Sequence, residues 1–330
     1  MRVVSTAHQH QLGRFKRPSG MTHATLRNPH NRLKDRCGMR ILSLAAFRSV
    51  HRQFETMLRD FSTTARGRKA FDADTLQRME RRKGMSLFAV NVRSRIQLAW
   101  AADREFAKLV SRRRDEEFYF VTLSPKEFAI PIEMAPSFDH KSLRMWAKEQ
   151  LRGLNYVGMI EAAYYSNYNP IPGRRSAMVS WHVHAIVWGC SARRITAVVE
   201  RVNAVCEPLI PCRAAAHARG MAGDTAAKRI FYMLKIAINN YRVYAKKGDV
   251  VDQLTGEVTV GNTGEMVTRK SRLRPGQAVK MAVVMGNRTL PVLMFSAGEG
   301  AVVWIRARAL TRSKIRHADE IFRRKIDSLF

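Results

Sequence analysis

The hydrophobic positions in the first third of the chain follow a helical period. Between residues 41 and 61 the apolar side chains recur every three or four positions, which predicts one amphipathic helix. The same spacing predicts two further helices, over 74–83 and 87–113. Together these segments predict a helical N-terminal region, residues 41–116, that packs onto the domain after it.

The pattern changes to that of β-strands at residue 117. Residues 117–125 are rich in aromatic and β-branched side chains and stop at a proline, which predicts a strand. Two more β-rich runs, 156–165 and 180–189, are separated by a polar turn containing Asn, Pro and Gly. Because strands with so short a connection pair antiparallel, the sequence predicts a hairpin here.

Helices are predicted on either side of this hairpin. One runs from Asp139, a good N-cap, to residue 152, and another follows the N-cap Ser191 over 193–206. A third opens at Gly223. On this third helix one side is predicted to carry polar and cationic residues around a tyrosine, namely Lys228, Tyr232, Lys235, Asn239 and Arg242.

The last third of the chain alternates between the two patterns. The sequence predicts a flexible hairpin, a helix after Pro275, two β-runs and a basic terminal helix, with the hairpin at 252–268 and the β-runs at 290–296 and 301–306. The whole pattern predicts an α+β protein in which helices flank a central antiparallel sheet. The predicted central domain is 117–247, and 248–330 is a C-terminal accessory region.

Charge narrows the choice of partner. The formal net charge is +31 and the isoelectric point is near 11.0, although 46% of the residues are hydrophobic and suffice for a core. Such an excess of cations indicates a polyanionic partner, with nucleic acid as the first choice. Residues 1–40 contain nine Lys or Arg against one acid and predict a flexible basic arm. No run approaches 18 apolar residues, so no membrane partner is expected.

The cysteines do not indicate a disulfide framework. Cys37, Cys190, Cys206 and Cys212 include no C-x-x-C pair, and no secretory signal is visible. Cys206 and Cys212 could contribute to a zinc site, but a separation of six residues is unusual for zinc ligands. Free thiols in a reducing, intracellular setting are the simpler interpretation.

The strand over 180–189 carries the clearest candidate chemistry. Side chains alternate along a strand, so His182 and His184 lie on one face. Two imidazoles on a rigid strand can hold a divalent metal ion if a third ligand arrives from elsewhere. In the predicted hairpin, Glu161 on the preceding strand lies beside them. A structural role remains the alternative for each of these residues.

Three motifs in order resemble those of the HUH (His-hydrophobic-His) endonucleases. They are a strand ending in residues 120–125, the His182-Val183-His184 strand, and a helix carrying Tyr232 and Lys235. The resemblance covers about residues 117–247 and is nearest to the initiators of rolling-circle replication. It implies an HUH palm, a sheet similar to the ferredoxin and RRM folds.

The resemblance also assigns roles to residues. It implies that Tyr232 attacks a DNA phosphate and stays attached to it, with Lys235 near the same phosphate. It implies that His182, His184 and Glu161 hold Mg²⁺ or Mn²⁺. A free tyrosine, with a pKa near 10, is a weak nucleophile at neutral pH, so such chemistry needs a cation to stabilise the developing charge. Tyr241 and Tyr244 are the rival or second nucleophiles.

The implied function is site-specific nicking and joining of single-stranded DNA at a replication origin, in the cytoplasm of a bacterial host. The chain has no G-x-x-x-x-G-K-[ST] loop, so unwinding would need a host helicase, and a host polymerase would extend the free 3′ end. No third histidine precedes the pair in the arrangement typical of conjugative relaxases. An HUH transposase is the close alternative, and a non-catalytic basic nucleic-acid-binding protein is the alternative from another class.

Overall fold

The computed structural model describes residues 42–168, 177–211, 213–251 and 254–328. The predicted basic arm over 1–40 lies outside the described residues, as do Cys37, Cys212 and most of the turn predicted at 166–175. The helices are α1 Leu44–Ser62, α2 Ala65–Ala70, α3 Ala73–Met79, α4 Val92–Arg112, α5 His140–Gln150, α6 Ala192–Val205, α7 Gly223–Leu234, α8 Pro275–Gly286, α9 Leu290–Leu293 and α10 Glu299–Asp327. Short 3₁₀ turns cover Arg81–Ser86, Lys126–Phe128 and Ala135–Ser137.

The strands form one curled sheet flanked by helices, which confirms the α+β class. They are β1 Phe118–Leu123, β2 Ala129–Pro131, β3 Asn155–Tyr165, β4 Met178–Trp188, β5 Ala216–Met221, β6 Asn239–Val251, β7 Val258–Arg272 and β8 Met294–Ala297. The order across the sheet is β5-β1-β4-β3-β6-β7, with β2 on β4 and β8 on β3. All the described pairs are antiparallel except the short contact between β3 and β6, so the sheet is mixed.

The predicted hairpin is present at the centre of the sheet. β3 and β4 pair antiparallel over their whole length of 11 residues each, and every residue of β4 is buried. A strand that is covered on both faces can bury polar groups only if other residues satisfy them. The position of β4 therefore decides what its histidines can do.

The helical N-terminal region forms as predicted, with small shifts of its boundaries. α1 begins behind Ser43, whose hydroxyl accepts a bond from the Ala46 amide, and buries Phe47, Phe54 and Leu58. α4 starts later than predicted, at Val92, because residues 87–91 form a non-helical turn around the left-handed Leu87. One hydrophobic core joins this region to the sheet and to the C-terminal elements.

Two predictions are wrong, and a third is half right: of the β-run predicted at 290–296, Leu290–Leu293 form α9 and the strand β8 begins only at Met294. Residues 301–306, predicted as a β-run, belong to α10, because Val303, Trp304 and Ala307 form a buried helical stripe that packs on α4. The polar and cationic face of α7 was predicted to include Asn239 and Arg242, but the helix ends at Leu234. Lys235 has an extended backbone at its C-cap, while Asn239 and Arg242 belong to β6.

Two of the remaining predictions are confirmed in their main feature. Asp139 and Ser191 cap α5 and α6 through their side chains. The hairpin predicted at 252–268 is present and is formed by β6 and β7. It is longer than predicted, because β6 begins at Asn239 and β7 ends at Arg272. In the described part of the chain, no helix combines the length and the apolar character that crossing a membrane requires.

Candidate metal centre and tyrosine

The sheet register brings the three predicted metal ligands together. Glu161 on β3 lies directly opposite His182 on β4, and Thr122 on β1 lies directly opposite His184. Paired residues in an antiparallel sheet point to the same side, so these side chains share one face. Met159 on β3 is the other strand partner of His184 and lies on the same face.

The donor atoms of Glu161, His182 and His184 converge. The two Nε2 atoms lie 3.2 Å apart, and Glu161 Oε2 lies 3.2 Å from Nε2 of His184 and 4.0 Å from Nε2 of His182. All three side chains are buried, and their candidate ligand atoms lie within 4.8 Å of one another. This buried group can bind a metal ion.

The other ring nitrogens are held by acceptors suited to a metal-bound imidazole. Nδ1 of His182 lies 3.2 Å from the Ser180 carbonyl oxygen, which can only accept, so this nitrogen carries the proton. Nδ1 of His184 lies 2.9 Å from the Thr122 hydroxyl oxygen. Such outer partners fix the ring orientation and leave the Nε2 lone pair for an ion.

Burial and charge set the ionisation of the group. Burial lowers the pKa of His184 to about 3 and lowers the pKa of His182 from its usual value, so both imidazoles are neutral at neutral pH. Burial by itself raises the pKa of the Glu161 carboxyl, but the Lys235 ammonium outweighs burial and holds this pKa well below its usual range. Glu161 is therefore an ionised carboxylate beside two neutral nitrogen donors.

Lys235 lies between Glu161 and Tyr232. Its ammonium forms a buried ion pair with Glu161 Oε2 and stands 3.9 Å from the centre of the Tyr232 ring. The sequence predicted that this lysine lies near the tyrosine. In the structure it does, but Lys235 belongs to the turn after α7 and not to the helix itself. A buried ammonium needs such a partner because an isolated buried charge is very costly.

Of the three candidate tyrosines, Tyr232 is the one with a described ring contact to a histidine of the site, His184. Its ring is half-buried and lies 5.5 Å from the His184 ring and 5.8 Å from the Phe120 ring, both edge-on. Tyr241 instead stacks on Tyr165 at 5.3 Å, and burial raises its pKa well above the usual value. Tyr244 is exposed on the hairpin of β6 and β7.

Two residues of the N-terminal helices hold the backbone that carries Lys235. Arg95 on α4 donates to the carbonyl oxygens of Leu234, at 2.8 Å, and Lys235, at 3.4 Å. His51 on α1 accepts from the Ile236 amide at 3.1 Å, and burial lowers its pKa to about 3, so it stays neutral. The helical region therefore positions the site, a role that the sequence did not reveal.

Comparison with known proteins gives no family. No protein-family model, no curated protein and no solved structure matches this chain. Function is therefore inferred from the geometry of the site, which contains Glu161, His182, His184, Lys235 and Tyr232. Thr122, Phe120, Arg95 and His51 complete the site, and of these only the first two lay within a motif singled out in the sequence.

Proposed function

We propose that the chain nicks and joins single-stranded DNA at a replication origin by transferring a 5′ phosphate to Tyr232. The supporting observation is the contact of Tyr232 with a buried carboxylate and imidazole group that can bind a metal ion, with Lys235 touching both parts. A protein that only binds nucleic acid would need the charge of +31 but not this buried polar group. Burying a carboxylate and two imidazoles costs free energy, and such groups cluster at functional sites.

The chemistry is a balanced exchange of phosphate esters. Oη of Tyr232 forms a bond to phosphorus as the bond from phosphorus to the 3′ oxygen breaks. The tyrosine loses one proton and the departing 3′ oxygen gains one, so the products are a phosphotyrosine on the 5′ side and a free 3′ hydroxyl. The reverse attack by a 3′ hydroxyl rejoins the strand, and no other reactant is needed.

Residues around Tyr232 have separate tasks. Lys235 places a positive charge beside the ring and stabilises negative charge that develops on Oη and on the phosphoryl oxygens. Phe120 and His184 pack against the ring and limit its orientation. Arg95 fixes the backbone of Lys235 through two carbonyl oxygens.

The donor set suits Mg²⁺ or Mn²⁺. Glu161, His182 and His184 would hold the ion, and two nitrogens with one carboxylate suit Mn²⁺ well and Mg²⁺ tolerably. When bound, the ion supplies electrostatic polarisation of the phosphate. By the resemblance, host helicase and polymerase would be the partners of the reaction, and a transposase would use the same chemistry on element ends.

The test is covalent adduct formation on a single-stranded oligonucleotide that contains the origin. We expect a Mn²⁺-dependent adduct that maps to Tyr232 and is abolished in Tyr232→Phe, because Phe keeps the packing surface and loses only the nucleophilic oxygen. Tyr241→Phe and Tyr244→Phe serve as matched controls and should still form it. An adduct that persists in Tyr232→Phe would contradict the assignment of the nucleophile, and full activity in chelator would contradict the metal requirement.

A further inference from the structure

Arg229 stands beside Tyr232 on the face that carries the metal centre. It lies one turn earlier on α7, and its guanidinium carbon is 5.6 Å from the centres of both the Tyr232 and Phe120 rings. Residues three apart on a helix share a side, so both side chains project together over the sheet. The guanidinium is thus fixed by two aromatic rings next to the proposed nucleophile.

Unlike its neighbour Lys228, this cation has no anionic partner in the part of the chain that the structure describes. Lys228 lies 3.4 Å from Asp224, whereas Arg229 makes no ion pair there. Its Nε atom is buried and has no hydrogen-bond partner among the described residues. A buried donor left unpaired is unfavourable, and this favours an acceptor that binds the guanidinium from outside.

Arg219 adds a second cation on the same side. It lies on β5, the edge strand, directly opposite Phe120 on β1. Because paired residues point to the same side, Arg219 projects towards the Phe120 ring over which Arg229 lies. Its side chain is exposed, and within the described ranges no carboxylate pairs with it. The two arginines therefore line one rim of the site.

We infer that Arg229 and Arg219 bind a phosphate group of a nucleic-acid strand next to the Tyr232 hydroxyl. A guanidinium presents a planar fork of donors that matches two phosphate oxygens, and stacking on aromatic rings leaves this fork free. The identity of the ligand as a single strand rests on the proposed function. The charge of +31 favours a strand over a free phosphate ion, because many phosphates are then bound at once.

The experiment compares Arg229→Gln with Lys228→Gln, which removes the same charge from the next residue of the same helix. Affinity for a fluorescent single-stranded oligonucleotide is measured in chelator, so that no cleavage occurs, over a range of salt concentrations. We expect Arg229→Gln to reduce the slope of log affinity against log salt by about 0.7, the value for one phosphate contact to a single strand. Lys228→Gln should leave the slope nearer to wild type.

The same variants are compared for adduct formation in Mn²⁺. We expect Arg229→Gln to slow it about 100-fold, the effect of removing one donor to a developing oxyanion, with partial rescue by added guanidinium ion. Arg229→Lys keeps the stem and the charge but loses the fork. It should fold even if the Gln variant does not, and should show an intermediate rate. Equal slopes and equal rates for Arg229→Gln and Lys228→Gln would overturn the inference.

Two further outcomes separate this inference from the proposed function. If wild-type protein forms no adduct, the proposed function fails, and the salt slopes alone decide whether Arg229 contacts phosphate. A titration with inorganic phosphate distinguishes the source of the ligand. Binding of phosphate alone, with no effect of Arg229→Gln on the oligonucleotide, would overturn the assignment to a strand.

Discussion

On one face of β4, His182 and His184 turn their Nε2 atoms towards each other and towards Glu161. On the other face, His140 from α5 packs edge-on against Trp181 and accepts a hydrogen bond from Arg288 through Nε2. Burial lowers the pKa on both sides, to about 3 for His140 and for His184. Burial and neutrality alone therefore do not distinguish a metal ligand from a structural histidine.

The two groups of histidines differ in the partner of the Nε2 lone pair. On the His140 face it is used by Arg288, whose guanidinium also donates to the carbonyl oxygens of Val284, Ala135 and Pro136 and lies 4.9 Å from the centre of the Trp181 ring. On the His182 face two lone pairs and a carboxylate converge instead. The first arrangement is complete within the protein, and the second can accept an ion.

The largest expected effect is a loss of folding stability when the hydrogen bonds of Arg288 on the His140 face are removed. Arg288→Met removes the donor to buried His140 Nε2 and the donors to the Val284 and Pro136 carbonyl oxygens. Each acceptor left unpaired costs about 1–3 kcal/mol, so unfolding in urea should show a loss of at least about 3 kcal/mol. Arg144→Met is the matched control, because Arg144 is only half-buried and its one side-chain bond among the described residues is to the Val292 carbonyl. This variant should lose less than about 1 kcal/mol. Equal stability of the two variants would remove the structural role assigned to this face.

A smaller effect, on metal affinity, is expected on the His182 face. Thr122→Val removes only the hydroxyl that orients His184, and loss of such an outer partner lowers metal affinity by about tenfold or more. Thr122→Ser keeps the hydroxyl and should bind Mn²⁺ like wild type in a calorimetric titration. An unchanged affinity in the Val variant would show that His184 does not depend on Thr122 for its orientation.

The pattern of residues along one hairpin was enough to predict that Glu161, His182 and His184 lie together. Alternation along one strand puts His182 and His184 on the same face, and a short hairpin puts Glu161 next to them. The register in which Glu161 faces His182 was assumed for that prediction, and the structure confirms it. These relations involve neighbouring strands of one hairpin, which is why the sequence could reveal them.

Contacts between segments that are distant in the sequence could not be predicted from local patterns. Arg95 reaches Leu234 across 139 residues, and nothing in the helical period of α4 distinguishes it from a surface arginine. The run of β-branched residues at 301–306 predicts a strand, but packing of Val303 and Trp304 on the neighbouring helix makes it helical. In both cases tertiary contacts override the local preference.

The central claim is that His182, His184 and Glu161 form a metal centre while His140 does not. Pulsed electron paramagnetic resonance of bound Mn²⁺ tests it directly, because a bound imidazole nitrogen couples to the metal electron spin. The account predicts couplings from two imidazoles in wild type and in His140→Ala, if this variant folds, and from one imidazole in His182→Ala or His184→Ala. In Glu161→Gln, binding should weaken while both nitrogen couplings persist at high Mn²⁺. Bound Mn²⁺ without imidazole couplings in wild type, or couplings that survive in the His182→Ala and His184→Ala double variant, would contradict it.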